Sequence, residues 1–289
     1  MNSLIRDRLG ERIDLLRRFM KSRGVDAALA MAHDGYNWET CYHLSGFRGS
    51  SCALVVFRDD AILVTDRRYL EQASRQTDLS VVDQGVTPMM EVLEKEISSR
   101  SGVWVLGFQA RRVTCDAFDG LKGLGRELVD ISAEFSILRS RKDPDEAKII
   151  EEAASIASSA FIDTLSIFSN GMSERELAAR LEYEMRLKGA EGGWGGQDFI
   201  VASGTRSALP HGRPEDRAIK PGENVLVDFG ARHMGYVSDI TRTFSQGAPE
   251  KWVLEAHELL FQAQSAAIAL LEPGRPASEI DAVDRKSVV

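Results

Sequence analysis

Two aspartates lie in a pair of apolar, strand-like segments that are separated by a short turn. Residues 224–245 read NVLVDFGARHMGYVSDITRTFS, with Asp228 in the first half and Asp239 in the second. Both halves are rich in β-branched and aromatic residues, and a glycine ends the stretch between them, which is the pattern of a β-hairpin. A turn centred between His233 and Met234 would place the two carboxylates directly opposite each other.

Such a carboxylate pair needs an explanation, because like charges directly opposite each other destabilise a pair of strands. The neighbouring residues are apolar, so we expect the pair to be partly buried, where two carboxylates must share a proton or hold a cation. Two divalent metal ions that are bridged by carboxylates and activate water for hydrolysis are one solution. The alternative is that one aspartate lies at a turn and that a β-bulge shifts the register of the hairpin.

The N-terminal half of the chain alternates between strand-like and helical patterns. Apolar residues recur at spacings of three and four up to Met20, and Gly24 follows, which predicts an N-terminal helix. Residues 36–51 are interpreted as a loop that is rich in glycine and aromatic residues. Strands are predicted at 26–32, 53–57, 61–65, 79–82, 103–108 and 128–131, and helices at 67–75, 88–99 and 114–124. This alternation predicts a mixed α/β domain whose helices cover a sheet.

A change in composition near residue 140 marks the expected domain boundary. The polar stretch there contains a helix start, since Asp143 can cap the helix, Pro144 fits its first position and Glu146 completes the spacing of a capping box. We therefore expect an N-terminal domain over residues 1–138 and a second domain over residues 139–289.

The composition is that of an ordinary globular protein, and it argues against several classes of partner. The formal net charge of −8 argues against nucleic acid, because phosphate binding needs a basic surface. The sequence has no apolar run near the roughly 20 residues of a membrane helix and no signal-peptide pattern. Cys41, Cys52 and Cys115 are expected to be free, buried thiols, as suits a reducing compartment. We therefore expect a cytoplasmic protein without nucleic-acid or membrane partners.

Several segments of the chain resemble the pita-bread metallopeptidase family, which includes the Xaa-Pro aminopeptidases and Xaa-Pro dipeptidases. The hairpin is one of them, and KDPDEAKIIEEA (142–153) and IVASGTRSALPHGRP (200–214) are two more. In the N-terminal half, YHLSGFRGSSCALVV (42–56) and LVTDRRYLEQA (63–73) are similar to the creatinase-type domain of these enzymes. The resemblance implies an α/β (α+β) fold, with a creatinase-type N-terminal domain followed by an incomplete pita-bread domain.

The resemblance also implies roles for three residues. Asp228 matches a bidentate metal ligand of the family, and Asp239 matches the carboxylate that bridges both metal ions. His211, in the sequence LPHG, matches the histidine that contacts the substrate or the tetrahedral intermediate. The complete family site holds two divalent ions (Mn, Co or Zn) that activate water for cleavage of an N-terminal Xaa-Pro bond. The implied partners are a peptide with proline at its second position and a second copy of the chain in a homodimer.

The chain departs from the family pattern towards its C-terminal end. The family site has three further ligands, a histidine and two glutamates, on later strands, and those motifs are absent before Val289. Two carboxylates offer too few donors for two ions that each take about six. The sequence therefore predicts a truncated pita-bread domain that is inactive alone and that has an unpaired sheet edge and exposed apolar surface.

Other interpretations stay open. A pita-bread protein without catalytic function would bind peptides or proteins, which fits the missing ligands but gives no reason to keep two opposed carboxylates. Creatinase-like hydrolysis would rely on histidine in place of metal, and the two aspartates argue against it. His33 and His43 are interpreted as surface residues of the N-terminal domain, where His43 could approach the site of a neighbouring subunit.

Overall fold

The computed structural model describes residues 8–194 and 199–287. The chain divides into two compact units, one that ends at Lys148 and one that begins at Ile149. This division falls after the change in composition near residue 140, a few residues into the long helix that starts at Pro144.

The N-terminal unit contains a six-stranded mixed sheet with helices on both faces. Its strands are β1 (Ala27–Ala32), β2 (Cys52–Phe57), β3 (Ala61–Thr65), β4 (Ser80–Asp83), β5 (Val105–Phe108) and β6 (Glu127–Asp130). Its helices are α1 (Leu9–Arg23), α2 (Trp38–Ser45), α3 (Leu70–Gln76), α4 (Met89–Ser98), α5 (Cys115–Gly123) and α6 (Ser132–Ser140). The strand order is β4-β3-β2-β1-β5-β6, and β2 pairs antiparallel with both of its neighbours. The mixed α/β domain predicted from the sequence is thus confirmed.

The central strands of this sheet are buried on both faces. Along β1 and β2 the side chains alternate between two apolar clusters, one packed with α1, α2 and α6 and the other with α4 and α5. Ala28 and Leu54 belong to the first cluster, whereas Leu29 and Val55 belong to the second. Because every residue of β2 is buried, the middle of this sheet offers no side chain to solvent.

Three local expectations for this unit are wrong, and they concern residues 36–51, Cys115 and His43. Residues 36–51 are not all loop, because they contain α2, whose side chains are mostly buried. The helix starts after Asn37, which has φ 61° and whose side-chain amide donates to Met31 O at 2.9 Å. Burial in the core overrides the weak local helix signal of this segment. Cys115 is exposed, whereas the other two cysteines are buried free thiols as predicted.

His43 is buried, so its interpretation as a surface residue is wrong. Its Nδ1 lies 3.2 Å from Glu146 Oε1, and Arg12 donates to the His43 carbonyl at 3.0 Å and to Asp143 at 2.7 Å. Burial lowers the pKa of His43. Burial alone would raise the pKa of Glu146, but hydrogen bonds from His43 and from the Asp143 backbone hold that pKa at about 2. By contrast, the side chain of His33 is 73% exposed.

The C-terminal unit contains a three-stranded antiparallel sheet, a short two-stranded ribbon and several helices. Its strands are β7 (Ile200–Ser203), β8 (Asn224–Phe229), β9 (Arg232–His233), β10 (Tyr236–Val237) and β11 (Ile240–Ser245). Its helices are α7 (Pro144–Ser166), which starts just before the division, α8 (Glu174–Leu187), α9 (Lys251–Ala269) and α10 (Ala277–Ser287). The strand order of the larger sheet is β11-β8-β7, so β11 is an edge strand within the described residues.

One face of this smaller sheet is covered by an apolar cluster with residues from α7 and α8. Val225, Val227 and Phe229 of β8 belong to it, and the ring of Phe161 on α7 stacks on Phe229 with a centroid distance of 5.1 Å. The alternate residues of β8 are only half-buried, and Thr241, Arg242 and Thr243 of β11 are exposed. The opposite face of the sheet is therefore open to solvent among the described residues.

Helix α9 buries little of its apolar surface. Among its residues Ala263 is buried, whereas Trp252, Leu260 and Phe261 are each more than half exposed, at 60%, 55% and 57%. None of the helices within residues 8–194 and 199–287 is long and apolar enough to cross a membrane.

Candidate active site on the hairpin face

Asp228 and Asp239 lie on one hairpin, but its register differs from the predicted one. Strands β8 and β11 pair antiparallel with Asp228 opposite Thr241, so the two aspartates are not directly opposed. Asp239 directly precedes β11 and lies two residues before Thr241. Since side chains alternate along a strand, Asp239 lies towards the same face as Thr241 and Asp228. The two carboxylates are therefore diagonal neighbours.

The turn explains the shift in register. His233 pairs with Tyr236, so the loop between β9 and β10 consists of Met234 and Gly235, which have φ 48° and 82°. Two positive φ values define the type I′ turn that matches the twist of a hairpin. The turn centre thus lies one residue later than predicted, which moves the partner of Asp228 by two residues.

A close crossing of the two hairpin arms fixes the position of Asp239. The backbone of Gly230 passes so near Ser238 that a Cβ on Gly230 would lie 1.8 Å from Ser238 O and 2.0 Å from Trp194 Nε1. The indole of Trp194 donates to the same carbonyl at 2.9 Å. The hydroxyl of Ser238, which is buried, donates to Ala153 O on α7 at 3.1 Å. The residue before Asp239 is therefore held by Gly230, Trp194 and helix α7.

The pKa of Asp228 depends on its burial and on the charges of Asp239 and His211. Burial raises the pKa of Asp228, whereas the hydrogen bond from Thr241 Oγ1 to Asp228 Oδ1, 2.8 Å long, lowers it. The charge of Asp239 raises the same pKa, and the charge of His211 lowers it. The net result is a raised pKa, caused mainly by burial and secondly by the neighbouring carboxylate of Asp239. Such an arrangement favours the binding of a cation.

His211 lies in the loop that joins β7 to β8. A 3₁₀ turn, Gly204–Ala208, follows β7, and the chain then folds back towards the strand. A Cβ on Gly212 would lie 3.1 Å from Ala202 Cβ, so the backbone next to His211 packs closely on β7. His211 is exposed, and its charge acts on Asp228.

The described residues provide only part of a metal site. Carboxylates are suitable ligands for Mn²⁺ and similar ions. However, within the described part of the chain there is no group of three His, Cys, Asp or Glu side chains that could hold a metal ion. Asp228 and Asp239 therefore do not form a complete metal centre with the other described residues.

Several residues that shape this site carry no chemical motif. Thr241, Gly230, Ser238 and Trp194 contribute through hydrogen bonds or close backbone contacts. The register that brings them together depends on a turn without the usual Asn-Gly signal, so sequence reasoning missed Thr241, Gly230 and Ser238.

Two family models match the chain, one in each half. Residues 12–141 match the creatinase/prolidase N-terminal domain, and residues 148–288 match metallopeptidase family M24. The chain is 35% identical over 280 residues to the uncharacterized peptidase YqhT of Bacillus subtilis, an alignment that covers 96% of this chain and 77% of that protein.

The fold of this chain is similar to solved structures of Xaa-Pro peptidases. The X-Pro aminopeptidase from Thermotoga maritima matches with a TM-score of 0.86 and 34% identity, over 92% of this chain and 75% of that one. The Xaa-Pro dipeptidase from Bacillus anthracis matches with a TM-score of 0.89 and 33% identity, over 97% of this chain and 77% of that one. The chain therefore belongs to metallopeptidase family M24, the pita-bread peptidases, and has a creatinase-type N-terminal domain. The family and fold that the motifs predicted are confirmed.

Proposed function

We propose that this protein is a proline-specific metallopeptidase that removes an N-terminal residue preceding proline or splits an Xaa-Pro dipeptide. The observation that carries the proposal is the open hairpin face, where Asp228 lies within electrostatic reach of both Asp239 and His211. Membership of family M24 supports the reaction class. The substrate class is supported by the names of the relatives, an X-Pro aminopeptidase and an Xaa-Pro dipeptidase.

In this proposal Asp228 and Asp239 are two ligands of a site for two divalent ions, which are Mn, Co or Zn. The raised pKa of Asp228 supports this role, because a nearby cation would compensate the two carboxylates. Since the described residues do not complete such a site, we propose that the 289-residue chain is inactive by itself.

The remaining polar groups orient the reacting partners. The hydroxyl of Thr241 donates to Oδ1 of Asp228 and so fixes the plane of that carboxylate. His211 is exposed beside the two carboxylates, where its ring can donate a hydrogen bond to the substrate carbonyl oxygen as negative charge develops there. The close contact of Gly212 with β7 limits the movement of the backbone that carries this ring.

The proposal is tested with the protein purified from its source. Cleavage of an Ala-Pro peptide and of a matched Ala-Ala peptide is measured with added Mn²⁺ and with a chelator. We expect Mn²⁺-dependent cleavage of the proline peptide alone. Asp239→Asn should reduce it by more than about 100-fold, a loss that even the outer partners of metal ligands can cause.

The matched control is Asp163→Asn, which changes a half-exposed carboxylate on α7 that pairs with Lys188. We expect this variant to keep the activity of the unchanged protein. The proposal would be overturned if the Asp239→Asn variant cleaved the proline peptide as fast as the unchanged protein. It would also be overturned if both peptides were cleaved equally.

A non-catalytic peptide- or protein-binding module is the second candidate. It is favoured by the lack of a three-ligand metal group among the described side chains. It predicts peptide binding that a chelator leaves unchanged, together with no cleavage of either peptide.

We also propose a homodimer, which the family resemblance suggests. Light scattering coupled to size-exclusion chromatography would give a mass near twice that of the chain, which is 31.9 kDa for the 289 residues. A monomer at micromolar concentration would contradict this proposal.

A further inference from the structure

We propose that Glu174 is a positioning residue that holds the loop carrying His211 in place for the reaction. The inference rests on the proposed function, because it concerns the placement of a residue in that site. Glu174 is the first residue of α8, and its side chain is 0% exposed. A carboxylate is rarely buried to this extent unless charged or polar partners compensate it.

The carboxylate of Glu174 binds the start of the loop. Its Oε1 accepts hydrogen bonds from the backbone N and from the Oγ of Ser203, each 2.8 Å long. Ser203 is the last residue of β7 and is fully buried. The guanidinium of Arg217 donates to the same Oγ. The exit of the chain from the sheet is therefore fixed by Glu174.

The same carboxylate binds the far end of the loop. Its Oε2 accepts from the guanidinium of Arg206 and from the backbone N of Glu215, the latter at 3.2 Å. Arg206 in turn donates to Arg213 O at 2.9 Å and lies 2.9 Å from Glu215 Oε1. Residues 203–215 thus form a loop whose two ends meet at Glu174, and His211 lies within it.

Helix capping does not account for the burial of Glu174. Helix α8 is already capped by Ser173 and Glu176, which form a reciprocal capping box. An acidic residue in the first turn can also interact with the helix dipole while it stays exposed to solvent. Burial of this carboxylate with four donors specifies one loop conformation, which an exposed glutamate would not do.

Loop placement matters for the proposed reaction because a displacement of about 1 Å at a reacting group can reduce the rate about 100-fold. Glu174→Gln keeps the size of the side chain but replaces one carboxylate oxygen with an amide NH₂ group. That group is itself a hydrogen-bond donor and cannot accept from the donors that surround it. The loop should then lose its closure while α8 and β7 keep their apolar packing.

The first readout does not depend on the reaction. Amide hydrogen exchange of residues 204–214 is measured in the 289-residue chain. In Glu174→Gln we expect exchange to be faster by about tenfold or more, the factor that corresponds to a lost charged hydrogen bond. The control is Glu182→Gln, on the same helix, whose carboxylate is 46% exposed and pairs with Arg186. It should leave exchange in the loop unchanged.

The second readout is activity of the protein purified from its source. We expect Glu174→Gln to lower kcat about 10- to 100-fold, while KM changes by less than about threefold. In a His211→Gln background, Glu174→Gln should add no further loss, because the residue whose position it controls is already removed.

Two outcomes would overturn the proposal. One is that Glu174→Gln leaves hydrogen exchange in the loop unchanged. The other is that Glu174→Gln lowers kcat by the same factor whether His211 or His211→Gln is present. If Glu174→Gln does not fold, Arg206→Gln gives both readouts with the same expected results, since Arg206 supplies the other half of the ion pair. If no form of the protein cleaves a proline peptide, the proposed function fails, and unchanged exchange would still overturn the holding role of Glu174.

Discussion

The two sheets of this protein differ in how many of their faces are buried. In the N-terminal unit the central strands β1 and β2 contribute side chains to two apolar clusters, one on each face. In the C-terminal unit β8 contributes to one cluster, and its other face is open among the described residues. A sheet buried on both faces stabilises the fold but leaves no surface for a ligand. The open face is where the candidate active site lies.

The buried polar cluster of the N-terminal unit and the carboxylates of the hairpin face show a similar contrast. In the N-terminal unit Arg12, His43 and Glu146 are buried and bind one another, so their charges are compensated internally. On the C-terminal sheet Asp228 is half-buried beside Asp239, and its pKa is raised. Compensated charges stabilise a fold, whereas uncompensated ones remain available to a ligand.

The largest expected difference comes from a matched pair of leucine truncations. Leu54→Ala removes a side chain that is 1% exposed in the middle of the two-sided sheet, and should lower the free energy of unfolding by about 3–5 kcal/mol. Leu226→Ala, on the open face of β8, should lower it by about 1 kcal/mol or less. Urea unfolding, followed by hydrogen exchange in each unit, measures both values. Equal decreases in the free energy of unfolding for the two variants would contradict the contrast between the sheets.

Acid should destabilise the N-terminal unit through Glu146. The folded pKa of Glu146 is about 2, below its ordinary value of 4.5, so its stabilising effect is complete above pH 4.5 and is lost as the pH falls towards 2. Loss of the whole effect corresponds to a decrease of about 3 kcal/mol in the free energy of unfolding. The lowered pKa of His43 acts in the same direction below pH 6.5, because the unfolded chain takes up the proton first.

Thermal unfolding of the N-terminal unit as a function of pH measures this effect. Glu146→Gln should reduce the fall in unfolding temperature between pH 4.5 and pH 2. Glu151→Gln, at an exposed position on the same helix, should leave the pH dependence unchanged. If the unfolding temperature of Glu146→Gln falls with acid as steeply as that of the unchanged protein, other groups cause the effect.

Gly230→Ala should affect the hairpin more than its small size suggests. The new Cβ would overlap Ser238 O and Trp194 Nε1, so the two arms must separate at a cost of about 1–3 kcal/mol. Thermal unfolding measures the cost, and chemical shifts of residues 228–241 report the displacement. Gly123→Ala is the control, because a Cβ there meets nothing within 4 Å. Identical shifts in the Gly230→Ala variant and the unchanged protein would contradict the described crossing.

The smallest effect is expected for Thr241→Val, which removes the donor to Asp228 and keeps the shape of the side chain. The pKa of Asp228 should rise further, and stability should change by about 1 kcal/mol or less. Carbon-detected NMR titration of the aspartate side chains measures the pKa. Thr243→Val, two residues further along β11, should leave that pKa in place.

Sequence reasoning predicted the elements of the fold better than their exact pairing. Periodicity and capping residues such as Asp143 and Glu146 predicted most helices and strands, because these signals are local. The hairpin register was wrong because Met234 and Gly235 form a turn without an Asn-Gly pair. The buried roles of His43 and Glu174 were missed for a different reason. Each depends on partners that are distant in sequence, and no local pattern marks them.

The site residues were found through their resemblance to a family rather than through spacing alone. Spacing predicted direct opposition of Asp228 and Asp239, whereas the structure has Thr241 opposite Asp228. The diagonal arrangement still places both carboxylates towards one face, so the chemical argument for a cation holds with a different geometry.

The most direct test of the account locates a divalent cation on the protein. Mn²⁺ is titrated into the ¹⁵N-labelled 289-residue chain, and paramagnetic broadening of the amide signals is followed. Because broadening also reports weak binding, it does not require a complete site. The account predicts that residues around Asp228, Asp239 and Thr241 broaden first, and that the double variant Asp228→Asn, Asp239→Asn loses this effect. Broadening that begins elsewhere, or that persists in the double variant, would contradict the assignment of the hairpin face as the metal-binding site.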